Sequence, residues 1–153
     1  MSEALTANFE EWRARIVGKT AARAWRGGAS VIFVELGKLR PRVRPDGTPG
    51  GEQGEFTVML EWGWRVEDET SILCGSDNEY DEIDAALPQL VGRELVELAL
   101  VGRLPELSLD FPGGLYLTSF APHQGNPRWT ILDHSDGYRG ALGVKAGKLV
   151  VRE

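Results

Sequence analysis

Apolar and polar positions alternate without a break from Phe56 to Val66. Phe56, Val58, Leu60, Trp62, Trp64 and Val66 take the even positions. Glu55, Thr57, Glu61, Gly63, Arg65 and Glu67 take the odd ones, where Met59 is the lone apolar residue. A period of two sustained this far predicts one long strand with a buried and a wet face. Asp68-Glu69 then turns the chain into a partner strand at Thr70–Cys74. Shorter runs of β-branched and aromatic residues predict strands at Ser30–Leu39, Glu94–Val101, Glu106–Phe111, Leu115–Phe120 and Trp129–His134. A hairpin of Leu142–Lys145 and Lys148–Val151 closes around Ala146-Gly147.

Helical spacing occurs twice. Leu5, Phe9, Trp12 and Ile16 recur at intervals of four, three and four, which predicts an N-terminal helix over residues 1–18, stopped at Gly18. Ile83, Ala86 and Leu87 form a short stripe that Pro88 ends or kinks. Ser76 with Glu79 has capping-box spacing for that second helix, and Asn78 is a competing cap. Lys19–Arg26 reads equally as an extension of the first helix or as a strand. Residues 40–54, RPRVRPDGTPGGEQG, hold three prolines and four glycines and read as a flexible loop. The sum is a single α+β domain over residues 1–153. It is a predominantly antiparallel, strongly bent β-sheet with an N-terminal helix and one short internal helix.

Composition narrows the class more than the activity. A chain of 153 residues can bury about 68–70% of its unfolded surface and needs no disulfide or metal to hold a core. Cys74 is the only cysteine, so no intramolecular disulfide forms and no oxidising compartment is implied. The first residues carry acids where a signal peptide carries bases. No run approaches the ~18 apolar residues of a membrane span. The expectation is a soluble cytoplasmic protein with no membrane contact. Residues 1–51 hold nine Lys and Arg against five acids, and residues 52–153 hold eight against eighteen. Such asymmetry marks a partner surface or is mixed away by the fold. The net charge of −6 argues against nucleic acid, whose binding rests on phosphate neutralisation.

Candidate chemistry is sparse. Asp77, Glu79 and Asp81 match alternate positions of a calcium loop, but Glu82 stands where that loop needs Gly and Pro88 where it needs Glu. The acids read instead as the favoured charge at a helix N-terminus, and no metal is expected. Cys74, Asp133 and the two histidines, His123 and His134, would supply a thiol nucleophile only if the fold joined them. No phosphate-binding, nucleophile-elbow or metal motif occurs, and neither a cofactor nor a catalytic residue is expected. Trp62 and Trp64, on one strand face, are candidate ligand-binding residues, and His123, in a Pro/Gly-rich loop, is a third. The alternative is a core wall with indole N–H groups satisfied at its edge. Arg40, Arg42 and Arg44 alternate with Pro41, Val43 and Pro45. They make an extended arm suited to an acidic partner, against the plainer reading of a solvated loop.

The stretches WGWRVEDETSILCGS (62–76), LVGRELVELAL (90–100), LSLDF (107–111), GGLYLTSF (113–120) and WTIL (129–132) resemble small bacterial domains of unknown function. Some such domains are immunity-type partners of bacterial toxins. The resemblance implies a protein partner and brings no catalytic residue onto this chain. Three readings of function stay open: a non-enzymatic protein-binding module, a small-molecule binder with a tryptophan-lined pocket, and a small hydrolase using His123 or His134. The sequence does not set the oligomeric state.

Overall fold

The structure is a computed structural model and describes residues 5–6, 8–123, 129–136 and 140–152. Among the described residues fourteen strands, paired antiparallel, fall into three sheets. The first sheet holds β1 (Leu5–Thr6), β2 (Ala21–Arg26), β3 (Ile32–Leu36), β6 (Phe56–Leu60), β12 (Trp129–Asp133), β13 (Gly140–Lys145) and β14 (Lys148–Arg152). Its order is β1-β14-β13-β12-β6-β3-β2. The second holds β7 (Trp64–Glu67), β8 (Ile72–Gly75), β9 (Glu97–Val101), β10 (Glu106–Phe111) and β11 (Leu115–Ser119), in the order β8-β7-β11-β10-β9. A separate two-stranded ribbon pairs β4 (Arg40–Val43) with β5 (Pro49–Gln53). With α1 (Phe9–Ile16) and α2 (Tyr80–Ala86) this is an α+β fold.

The alternation from Phe56 to Val66 spans two strands in different sheets. Five of its six even positions are buried, and Trp62, at the crossing, is 37% exposed. Gly63 makes the crossing. Its φ is +80°, and a Cβ there would lie 1.9 Å from the carbonyl oxygen of Phe120. Only glycine combines that conformation with that approach. The buried Ser76 hydroxyl accepts from the Gly63 and Trp64 amides and fixes the corner. The expected single bent sheet is therefore two sheets that share one core. Phe56, Val58 and Leu60 meet it from one side, and Trp64, Val66 and Leu117 from the other.

The N-terminal helix is shorter than the 1–18 span its spacing predicts. Asn8 caps it by accepting from the Glu10 amide, and Leu5 lies in β1 against β14. Trp12 and Ile16 enter the core as expected. Arg13 reaches Glu97 on β9 at 2.6 Å and Arg15 reaches Asp133 on β12 at 2.6 Å, so the helix ties the two sheets together. Residues 21–26 are strand, which resolves the ambiguity of Lys19–Arg26. The second helix begins later than Ser76 or Asn78 would set it. Glu79 and Glu82 form the capping box. Pro88 opens a 3₁₀ turn, Leu87–Leu90, rather than a clean stop. Ile83, Ala86 and Leu87 are buried as their stripe predicts. Among the described residues no helix is long and apolar enough to cross a membrane.

Candidate functional site

Within residues 40–54, expected as a flexible loop, Arg40–Val43 and Pro49–Gln53 form a β-ribbon that continues the β3–β6 pairing outward. Two features overcome their composition. The tip is a tight turn: Asp46 accepts from the Thr48 amide and hydroxyl at 2.9 and 2.6 Å, and Arg44 and Thr48 are bonded through backbone at 2.9 Å. The Arg44 guanidinium also donates to the Pro49 carbonyl. The three prolines supply no N–H, and on a two-stranded ribbon this blunts free edges without breaking a central ladder.

The root of the ribbon is held by buried polar contacts. Glu35 on β3 is 1% exposed. One of its oxygens accepts from Thr57 Oγ1 at 2.5 Å and from the Gly54 amide at 3.1 Å. The other accepts from Trp25 Nε1 at 2.8 Å. Gly54 admits no side chain, because a Cβ there would stand 2.5 Å from the Leu36 carbonyl oxygen. Glu55 binds Lys19 at 2.9 Å and the Lys38 amide at 3.0 Å, and these donors hold it below the usual carboxylate range. Arg23 stacks on Trp25 at 4.6 Å and donates to the Glu52 carbonyl at 2.9 Å, tying β5 to the large sheet. A buried acceptor serving three donors over-determines where the ribbon leaves the body.

From that root the ribbon projects with residues 40–49 exposed. Arg40, Arg42 and Arg44 alternate along β4 and just past its end. Val43, in the intervening set, is 68% exposed. Among the described residues Arg40 and Arg42 enter no ion pair, whereas Arg13, Arg15, Arg26 and Arg65 each have a carboxylate. Two guanidinium groups are thus presented to solvent without a direct ion pair among the described residues, although Glu55 at the root feels the charge of Arg40.

The tryptophan candidates are separated. Trp64 is wholly buried and donates its indole N–H to the Ser30 carbonyl at 2.8 Å, so it is a core residue. Trp62 lies on the other side of the Gly63 corner, with His123 against it at 5.4 Å between ring centroids. The two indoles are not side-by-side neighbours on one strand face. His134 donates its backbone amide to Glu55. Burial pushes its imidazole below the ordinary value, and Arg42 adds to this against the opposing charges of Glu35 and Asp133. Asp133 is taken by Arg15 and Ser135. Cys74 is buried, and burial with the nearby Glu82 raises its thiol pKa, the opposite of what a nucleophile needs. No group of three or more His, Cys, Asp or Glu residues suited to a metal ion occurs among the described residues.

Sequence reasoning missed Glu35 and Arg23, the residues that aim the ribbon. The available signal was a lone carboxylate inside the apolar run VIFVEL. The surface so assembled is that of an α+β protein with a rooted, arginine-bearing ribbon. Neither a protein-family model, nor a curated protein, nor a solved structure matches this chain.

Proposed function

We propose that this chain is a non-enzymatic protein-binding module whose recognition element is the β4–β5 ribbon and whose partner is acidic. The observation that carries the reading is the pair Arg40 and Arg42, exposed on a ribbon whose root is fixed, with no ion pair among the described residues. A rigid root lowers the ordering cost of association. Guanidinium groups give bidentate contact with carboxylates and steer the encounter. The resemblance of residues 62–133 to small bacterial domains of unknown function, some of them immunity-type, would accord with a protein partner.

The test uses the full chain as bait in extract of the native cell, beside the triple variant Arg40→Ser, Arg42→Ser, Arg44→Ser. The melting temperature should be nearly unchanged, because these side chains are exposed and the Arg44 contacts hold only the ribbon tip, outside the core. A partner held by the wild type should be lost by the variant, and its association with the wild type should slow as salt is added. Equal capture by both proteins rejects the ribbon as the recognition element.

A further inference from the structure

An antiparallel sheet that packs its core on one face commonly turns polar side chains to water from the other. The seven-stranded sheet departs from this pattern. Its registers align Trp25, Phe33, Met59, Thr130, Gly143 and Val150 in one row across six strands. The row lies on the face away from the core, because the alternating neighbours Val34, Val58, Ile131 and Leu142 are the core residues. Thr130 is its one polar side chain, and all six residues are half-buried. Trp25 and Phe33 are stacked at 4.3 Å. At the other end the missing side chain of Gly143 leaves a depression of about 150 Å³, bounded by Ala141, Val144 and Arg152 as well as the row. Five inter-strand steps make the row about 24 Å long.

The adjacent row toward the ribbon begins at Arg23 and ends at Arg152. Its one carboxylate, Glu35, is buried and engaged. The open face therefore carries an apolar strip with a positive margin, continued by the ribbon arginines. Two copies of this chain face to face would oppose arginine to arginine, with no exposed carboxylate in either row. Glu35 and Thr57 of the second row are buried, so the two rows offer a partner less than roughly 300 Å², far below the ~800 Å² each partner gives to a stable interface. That area suits a segment rather than a second copy.

We propose that this face docks an acidic amphipathic helix of the partner, with its apolar side along the Trp25–Val150 row and its carboxylates on Arg23, Arg152 and the ribbon. The inference rests on the ribbon reading for the acidity of that partner. A helix of about 16 residues matches the row's length.

The test titrates isotope-labelled full chain with synthetic helical peptides of about 16 residues. One has a leucine stripe backed by glutamates, one has the same stripe backed by lysines, and one is the acidic peptide scrambled. The acidic amphipathic peptide should bind and shift the Trp25 indole N–H and the amides of β12–β14. The other two should bind about tenfold more weakly or worse. Thr130→Glu and Val150→Glu, each checked for an unchanged melting temperature, should weaken the acidic peptide by about tenfold. Weakening in these variants together with weakening in the ribbon triple variant is the expected result; loss in the face variants with full retention in the ribbon triple variant keeps the face and rejects the ribbon. Loss in the ribbon variant alone overturns the face and leaves the ribbon reading standing. Absence of binding by any peptide, equal binding of the lysine peptide, binding only to phosphatidylserine vesicles, or a concentration-dependent dimer that masks these resonances each overturns the proposal.

Discussion

Removing the Glu35 carboxylate should loosen the ribbon and cost the whole fold measurably. Glu35→Ala deletes the acceptor shared by the Gly54 amide, the Thr57 hydroxyl and the Trp25 indole. Trp25 is half-buried and its N–H can reach water, so its loss counts least. Gly54 and Thr57 are both buried, and a buried donor left without a partner costs about 1–3 kcal/mol. Rotation of the Thr57 hydroxyl offsets part of this, leaving about 3 kcal/mol. In a domain of this size that is about 6–12 °C in melting temperature. Glu35→Gln keeps one acceptor oxygen and should fall between alanine and wild type. Glu35→Leu combined with Thr57→Val should recover part of the loss, because it removes a stranded donor together with its acceptor. Hydrogen exchange separates local from global effects. In Glu35→Ala the Gly54 and ribbon amides should lose more protection than β10 and β11, whose fall should match the global change. A melting temperature within about 1 °C of wild type, with Gly54 still protected, would refute the account of the root.

Leu60→Ala should cost about 2–5 kcal/mol in denaturant unfolding, because Leu60 is core at the last position before the corner. Cys74→Ala should fold normally and keep partner binding, since the thiol packs rather than reacts; a folded variant that loses all function would restore the nucleophile. Acidification should lower stability in two stages. Burial holds His134 below its ordinary value, so the unfolded chain takes up that proton first and stability falls as pH drops through about 6.5. Burial alone would raise Asp133, but Ser135 and Arg15 outweigh it and hold the carboxyl low, so its stabilisation is lost as pH drops below about 3.9. His134→Gln should remove the first stage and Asp133→Asn should shrink the second, to which the depressed Glu55 also contributes, read from denaturation midpoints against pH.

The elements that close locally were legible in the chain. Glu106–Phe111 alternates cleanly and pairs with Leu115–Ser119 across Pro112-Gly113-Gly114. The Ala146-Gly147 hairpin needs positive φ at both turn residues, and both have it. The corner at Gly63 was hidden because the period of two runs through it. The bend turns one residue, Trp62, outward and returns the pattern to phase at Trp64. The one sequence trace of it is a glycine among the wet positions. The ribbon was hidden for a different reason. Three prolines and four glycines weaken a strand buried in a sheet, but a two-stranded ribbon in water needs few ladder bonds. Its order comes from Glu35 and Arg23, which lie in other strands and contact it only after folding.

The open sheet face shows what single-strand patterns leave out. Met59 stands alone among the wet positions of its strand, and Phe33 lies in a run that is apolar on both sides. Each is unremarkable by itself, since scattered surface apolar residues are normal in any soluble domain. They become a strip only because β3 pairs with β6 at Phe33–Met59 and β6 with β12 at Met59–Thr130. A slip of one residue in either pairing would send Met59 against a core position and dissolve the row. Register is set by the buried face, where Val34, Val58 and Ile131 must meet. The core therefore fixes the geometry of a surface that takes no part in it. The strip is thus read from the pairing of strands, and its chemistry from the arginines that the same registers place at the ends of the adjacent row.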